Sequence, residues 1–320
     1  MAHILWMTID RHPDQLKALI RSQLQESGHS YSEVSYGDLD ALRFQPLENT
    51  DAVLLAPARH FPKEHMNRLE NCALMQVWSS GFDKFNIEDA TERKIPVANN
   101  HGSNAISVAE HAIFMMLGVA RRAPEMHTRV VEGKWAGNDH GMSSFSLKGK
   151  NLGIVGLGNI GRLVASRAEA LGMKIKFTDP MVKTDESFGW VKVSFDEILK
   201  ECDYITFHVH SNESTRGMLN LKNINKISRK PFIINVSRAE LIEKEALLFA
   251  LENGIVKGVA LDAHYEEPTL KNDPLFSYPN TLFSPHVAGS TVDSYLETVA
   301  ACLSNINRAI SGDQIEGRLN

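Results

Sequence analysis

Three polar segments of the sequence carry side chains suited to acid–base chemistry, and each follows an apolar, strand-like stretch. They are residues 235–238, 262–267 and 284–286. Because polar residues at the carboxyl ends of parallel strands project into one crevice, we expect Arg238, Glu267 and His286 to meet there. Arginine stays charged and histidine exchanges protons near neutral pH, so Arg238 and His286 suit the reduction of a keto acid, which needs a fixed cation and a proton donor. A carboxylate beside the imidazole would orient the ring and stabilise its protonated form, which is the role we expect for Glu267.

A glycine-rich turn, G-x-G-x-x-G, lies between an apolar strand and a helix. Gly156 would allow the tight turn, Gly158 the approach of a pyrophosphate, and Gly161 close packing of helix on strand. Asp179 ends the next strand, where a carboxylate accepts hydrogen bonds from ribose hydroxyls and repels a 2′-phosphate. The motif therefore predicts NAD in preference to NADP, while Lys183 nearby leaves room for some use of NADP.

His208 and His210 alternate on a presumed strand, and this spacing permits a two-ligand metal site. No carboxylate or cysteine lies at ligand spacing beside them. A strand end next to the cofactor explains both positions without a metal, so we predict none.

Strand-like and helix-like runs alternate in two series. Strands are predicted at residues 4–7, 52–55, 74–78, 96–98, 152–155, 175–178, 204–209, 232–235 and 259–261. Helices are predicted at residues 13–25, 62–70, 87–92, 105–119, 160–171, 243–253 and 292–310. Such alternation predicts an α/β fold with two doubly wound parallel sheets. Residues 121–150 show few periodic apolar positions and are predicted to form an extended arm or long loop.

Length, net charge and cysteine content exclude several classes of protein. A chain of 320 residues suggests two domains. A net charge of −5 and a pI near 6.2 give no broad attraction to nucleic acid or anionic membranes. The three cysteines suggest neither a disulfide framework nor a zinc site, and the N-terminus lacks a basic leader. We therefore expect a cytoplasmic protein that does not bind nucleic acid or membranes.

Several segments together resemble the D-isomer-specific 2-hydroxyacid dehydrogenases over nearly the whole chain. They are residues 80–83, 108–111, 156–161, 235–238, 262–267 and 285–286. The resemblance implies an NAD-dependent enzyme that interconverts a small 2-keto acid and its D-2-hydroxy acid. In this family the arginine binds substrate, the glutamate supports the histidine, and the histidine donates the proton; the matching residues are Arg238, Glu267 and His286.

The resemblance also assigns binding residues. Cofactor contacts are expected at Gly156, Gly158, Asn159, Ile160, Gly161, Asp179, Val209, Val236, Ser237, Arg238 and Asp262, the last facing the nicotinamide. Substrate contacts are expected at Ser80, Gly81, Asn104, Arg238 and His286, with Ser80 and Gly81 donating backbone N–H groups to the substrate carboxylate.

The domain arrangement follows from the same resemblance. Residues 1–102 with 287–320 would form a flavodoxin-like substrate domain, and residues 103–286 a Rossmann NAD-binding domain. Family members exchange the arm, here residues 121–150, between the subunits of a homodimer. Trp135 on this arm would reach the partner's active site.

Substrate identity and three rival functions stay open. His101, His210, Ala239 and Glu243 depart from the common family pattern. Residues 104–111 echo formate dehydrogenase, but that enzyme pairs its histidine with glutamine, and phosphite dehydrogenase shares the Arg, Glu and His set. A corepressor-like NADH-sensing protein retains the same residues. Arg59 and His60, if they face the substrate, would favour a second anionic group on it.

Overall fold

The computed structural model describes residues 1–10, 12–57, 59–100, 102–135, 138–183 and 189–320. His101, one of the departures from the family pattern, lies outside them. The chain separates into two compact units, Met1–Asn104 with Ser290–Asn320, and Ala105–Gly289. Within the described ranges, no helix has both the length and the apolar character that crossing a bilayer requires.

Strands and helices alternate through both units. The strands are β1 His3–Thr8, β2 Ser30–Ser35, β3 Ala52–Leu55, β4 Leu74–Val77, β5 Val97–Ala98, β6 Asn151–Val155, β7 Lys174–Thr178, β8 Val191–Lys192, β9 Tyr204–Phe207, β10 Phe232–Asn235, β11 Gly258–Leu261 and β12 Thr281–Phe283. The helices are α1 Asp14–Glu26, α2 Lys63–Met66, α3 Ile87–Glu92, α4 Ala105–Ala120, α5 Ala123–Val131, α6 Asn159–Ala170, α7 Phe195–Glu201, α8 Lys244–Glu252 and α9 Val292–Ser311.

The first unit is built on a parallel sheet with strand order β2-β1-β3-β4-β5. This is the flavodoxin-like order. Strand β1 is buried on both faces: Leu5 and Met7 pack into one apolar cluster and Ile4 and Trp6 into the other. The second cluster also contains apolar residues of α1 and α9, so the C-terminal helix belongs to this unit.

The second unit is built on a parallel sheet with strand order β12-β11-β10-β9-β6-β7-β8. Counted from β6, this is the Rossmann order with a seventh strand added at the edge. Both faces of the sheet are covered, which explains why β9, β10 and β11 are fully buried and mostly apolar. The predicted fold, two doubly wound parallel sheets, is confirmed.

The irregular stretch at 121–150 was predicted wrongly in part, because it contains helix α5. Pro124 stands in its first turn. Glu125 pairs with Arg122 at 2.6 Å and with Arg129 at 3.3 Å, one helical turn away on either side. None of the residues of α5 is buried, so the apolar periodicity that identifies a helix packed on a core is absent.

Candidate active site

The polar segments lie at the carboxyl ends of strands β10, β11 and β12 of the second sheet, as the sequence predicts. The hydrogen-bond ladder continues past the strand ends: Asp262 N donates to Asn235 O at 3.0 Å, and Ser284 N donates to Leu261 O at 3.1 Å. Residues after β10, β11 and β12 therefore lie side by side at this edge. The ladder brings Arg238, Asp262 and the segment that carries His286 to the same end of the sheet.

His286 and Glu267 form a close pair. His286 Nδ1 lies 2.6 Å from Glu267 Oε1, and the backbone N–H of His264 donates to the same oxygen at 3.2 Å. A carboxylate at this distance makes Nδ1 the donor, so the ring presents Nε2 on its other side. The His286 side chain is 42% exposed, which leaves that edge accessible to a ligand.

The backbone at His286 is in the left-handed region, with φ of +55°. This conformation costs a non-glycine residue about 1–2 kcal/mol, so neighbouring contacts must hold it. Asp262 supplies them. Its Oδ1 accepts from Val287 N at 2.9 Å and its Oδ2 from Ala288 N at 2.8 Å, while Ser284 Oγ donates to Oδ1 at 2.6 Å. The carboxylate is fully buried and bonds to the chain on both sides of the histidine.

His111, on helix α4, joins this network. Its Nε2 lies 2.8 Å from Ser284 Oγ and 3.5 Å from Asp262 Oδ1. Since the Ser284 hydroxyl donates to the carboxylate, it accepts from the imidazole. The sequence predicted a nicotinamide contact for Asp262 but not this network. Ser284 and His111 lie in segments that the sequence singles out, but neither residue was given a role of its own.

Arg238 lies in a turn after β10 that Asn235 holds. The buried Asn235 side chain donates from Nδ2 to Arg238 O at 2.8 Å and accepts from Ser237 N at 3.1 Å. Ser237 Oγ in turn donates to Val209 O at 2.7 Å, which ties this turn to the end of β9. The Arg238 side chain is half-buried, and its Nη1 donates to Ser237 O at 2.9 Å.

The three glycines of the motif differ in their surroundings. Gly156 has φ of +93°, and a Cβ there would lie 2.8 Å from the His208 carbonyl oxygen. A Cβ at Gly161 would collide with the Gly156 carbonyl oxygen. At Gly158, by contrast, a Cβ would meet nothing within 4 Å. Turn geometry and packing therefore require two of the glycines, while the third borders open space at the start of α6.

The start of helix α6 presents backbone donors. Arg162 N donates to Gly158 O at 3.0 Å and makes the first bond of the helix. The three preceding N–H groups, of residues 159–161, have no acceptor among the described residues. Val236, predicted to contact the same cofactor, is buried after β10.

The Asp179 carboxylate bonds to the two loops at the β6 and β7 ends. Its Oδ2 accepts from Leu157 N at 2.8 Å and its Oδ1 from Met181 N at 2.8 Å. It lies next to the glycine loop, as expected, and already helps to shape it. A ribose hydroxyl would use the remaining lone pairs of these two oxygens.

The two histidines considered as metal ligands do not share a strand face, so that part of the prediction is wrong. Strand β9 ends at Phe207, before both of them. Burial lowers the pKa of His208 to about 3, and its Nε2 lies 2.9 Å from Thr206 Oγ1, whereas His210 is exposed. In the part of the chain that the structure describes, no three His, Cys, Asp or Glu residues are grouped to hold a metal ion.

The predicted substrate residues of the first unit follow strand β4. Ser80 Oγ donates to Asn100 O at 2.8 Å and lies 3.4 Å from Asn104 Oδ1. Arg59 and His60 are exposed in the loop after β3. Ser80, Gly81 and Asn104 thus lie close together, while Arg238 and His286 belong to the second unit.

Comparison with known proteins identifies the family. Residues 113–288 match the model described as D-isomer specific 2-hydroxyacid dehydrogenase, NAD binding domain. The chain belongs to this family. The family and the NAD-binding domain predicted from the sequence are therefore confirmed.

Named relatives align over most of the chain. The D-3-phosphoglycerate dehydrogenase of Archaeoglobus fulgidus is 30% identical over 314 residues, which are 95% of this chain and 59% of that protein. The glyoxylate reductase of Thermococcus litoralis is 33% identical over 254 residues, which are 77% of this chain and 76% of that protein. The chain spans 59% and 52% of the phosphoglycerate dehydrogenases of A. fulgidus and Bacillus subtilis.

Solved structures share the fold. A glyoxylate reductase from Paecilomyes thermophila is 26% identical with a TM-score of 0.83, covering 99% of this chain and 98% of that one. An NAD-dependent formate dehydrogenase from Staphylococcus aureus in complex with NAD is 24% identical with a TM-score of 0.84, covering 99% of both chains. This second likeness shows the fold only.

Proposed function

We propose that this chain is an NAD-dependent oxidoreductase that interconverts a small 2-keto acid and its D-2-hydroxy acid. The observation that carries the proposal is the bond of 2.6 Å between His286 Nδ1 and Glu267 Oε1, on a unit that belongs to an NAD-binding family. An imidazole held in this way can give up a proton at Nε2 and then take one back.

The residues present fit the cofactor. Gly158 borders open space beside three N–H groups at the start of α6 that lack an acceptor in the described ranges, the arrangement that accommodates a pyrophosphate. Asp179 lies at the next strand end, where it would bind the ribose. The remaining proposed contacts are Gly156, Asn159, Ile160, Gly161, Val209, Val236, Ser237, Arg238 and Asp262. When bound, NAD would accept or supply the hydride.

The residues of the chain have separate tasks in the proposed reaction. In the direction of reduction, His286 donates a proton from Nε2 to the substrate oxygen, and Glu267 stabilises the imidazolium. Arg238 binds the substrate through its guanidinium group, which stays charged throughout. Ser80, Gly81 and Asn104 bind the substrate carboxylate.

A carboxylate partner for His286 favours hydroxy-acid chemistry over formate oxidation. Formate releases no hydroxyl proton, so its oxidation needs no base, whereas oxidation of a hydroxy acid does.

The test is one panel that follows NADH absorbance with D- and L-hydroxy acids, 2-keto acids, formate and phosphite. We expect turnover of a keto acid and of its D-hydroxy acid. Turnover of formate or phosphite alone would refute the proposal, and tight NADH binding without any turnover would favour a sensor.

We also propose that the chain forms a homodimer through α4, α5 and the segment after them. Large apolar side chains are exposed there: Phe114, Leu117, Val130, Val131, Trp135 and Met142. Several exposed large apolar side chains on neighbouring elements of the chain are typical of a protein interface. Val131→Asp should give a monomer by light scattering, whereas Leu221→Asp, at an exposed leucine elsewhere on the same unit, should leave a dimer. A monomeric parent chain would contradict the proposal.

The proposed location is the cytoplasm. Cys72, Cys202 and Cys302 are free and buried, and burial raises the pKa of each thiol. Buried neutral thiols suit a reducing compartment. Fractionation of the source cells would test the location.

A further inference from the structure

The loop after β4 has three consecutive carbonyl groups that other residues hold in place. Ser79 O accepts from Asn100 N at 3.3 Å, and Gly81 O accepts from Ser79 Oγ at 2.7 Å. Between them, Ser80 O accepts from Asn99 Nδ2 at 2.7 Å. The orientation of each peptide group in this loop is therefore set by a hydrogen bond to its oxygen.

The bond to Ser80 O also sets the direction of the Gly81 N–H. The carbonyl of Ser80 and the N–H of Gly81 belong to the same planar trans peptide group, so they point in opposite directions. The Gly81 N–H has no acceptor among the described residues. Gly81 is only half-buried, so a ligand can approach this residue.

Asn99 makes this bond at a cost. Its side chain is 6% exposed, and Oδ1 is buried without a hydrogen-bond partner in the described ranges. A buried acceptor without a partner is destabilising, so this amide contributes less to stability than a fully paired amide would. The amide is thus poorly suited to stability alone, while its Nδ2 is well placed to orient the loop.

We propose that Asn99 is a positioning residue that directs the Gly81 N–H at the carboxylate of the substrate. The inference rests on the proposed function, in which Gly81 binds that carboxylate. Asn99 does not touch the substrate in this account. It acts by fixing the peptide group that does.

The test compares Asn99→Leu, which keeps the volume and removes the amide, with the parent chain. Glyoxylate is the charged probe and methyl glyoxylate the uncharged one. We expect the KM for glyoxylate to rise about 10-fold, the loss of one hydrogen bond to a charged group, with the Kd for NADH unchanged. The KM for methyl glyoxylate should rise less, about 2-fold, because its uncharged ester carbonyl accepts a weaker hydrogen bond than a carboxylate does.

The matched control is Asn305→Ala. Asn305 is a buried amide of the same unit that bonds to Gln76 Oε1 in β4 at 2.7 Å and to Glu316 O at 2.9 Å, with no hydrogen bond in the described ranges to the carbonyl groups of the loop itself. Asn305→Ala should lower the free energy of unfolding and leave the KM values for glyoxylate and methyl glyoxylate unchanged. An equal change in KM for both probes in Asn99→Leu, or no change, would overturn the inference. If Asn99→Leu fails to fold, Asn99→Ser takes its place with the same expectations.

A second readout does not depend on turnover. In ¹H–¹⁵N spectra of the full chain, oxamate should shift the Gly81 amide signal of the parent and shift it less in the Asn99 variant. An equal shift in both proteins would refute the positioning role, and so would an unmoved signal in the parent. Absence of keto-acid turnover with a normal oxamate shift would instead count against the proposed function, so the two failures can be told apart.

Discussion

Asp262→Asn tests how His286 is held in place. The carboxylate accepts three hydrogen bonds, from Ser284 Oγ and from the N–H groups of Val287 and Ala288. An amide has one acceptor oxygen, so at least one donor would then face an NH2 group. Each hydrogen bond to a charged group contributes about 1.5–3 kcal/mol. The strain at the left-handed His286 is about 1–2 kcal/mol, so this loss is enough to let the loop leave its conformation.

The expected result is a fall in kcat of about 10- to 100-fold at saturating NADH, because the histidine is correctly placed in a smaller fraction of molecules. The Kd for NADH, measured by fluorescence titration, should change less than about 2-fold, because the amide keeps an oxygen for the proposed nicotinamide contact of residue 262. Thermal unfolding would show that the variant is folded at the assay temperature.

A double variant separates this role from a direct nicotinamide contact. If Asp262 acts through His286, adding Asp262→Asn to His286→Ala should reduce turnover little further. A large rise in the Kd for NADH with kcat retained would refute the positioning role and favour the cofactor contact. Additive losses in the double variant would refute it as well.

Three further predictions concern the second unit. Gly158→Ala should fold normally and bind NADH about 10-fold more weakly, because its Cβ enters the space proposed for the pyrophosphate. Gly161→Ala should instead lower the Tm, because its Cβ collides with the Gly156 carbonyl oxygen. Calorimetry and NADH titration measure both effects, and a lower Tm for Gly158→Ala with weaker NADH binding only for Gly161→Ala would contradict the assignment. Asp179→Asn should weaken NAD binding more than NADP binding, and an unchanged ratio of the two Kd values would remove Asp179 from the ribose site. His208 has a folded pKa of about 3, below its unfolded value, so protons favour the unfolded state as pH falls from about 6.5. His208→Gln should therefore gain about 2 kcal/mol over the parent between pH 7 and pH 5 in denaturant titrations, and an advantage independent of pH would contradict this.

The sequence predicts the exact bounds of those elements whose order of apolar and polar residues follows from their burial. Strands Ala52–Leu55 and Phe232–Asn235 are buried on both faces and are apolar throughout, apart from Asn235 at the end of the second strand. The strand Ser30–Ser35 was missed because it lies at a sheet edge and buries only Val34. Helix α7 was also missed, although its capping box, Ser194 with Glu197, is readable in the sequence.

The residues of the candidate site also differ in how well the sequence predicts them. Arg238, Glu267 and His286 were predicted to meet because strand ends in an α/β sheet converge. The structure places His286 against Glu267 and places Arg238 at the same end of the sheet. The supporting contacts depend on packing between distant elements. His111 and Ser284 are 173 residues apart, and Asn99 meets Ser80 across two strand ends. No local sequence pattern predicts contacts between residues so far apart in the chain.

The central claim, that His286 exchanges the proton while the cofactor exchanges the hydride, is tested most directly by His286→Ala. With the best keto acid from the substrate panel, turnover at saturating NADH should fall about 10²–10⁴-fold, the usual contribution of a proton donor. The Kd for NADH should stay within a factor of about 2, because no proposed cofactor contact is removed. Near-normal turnover in a folded variant with normal NADH affinity would contradict the account.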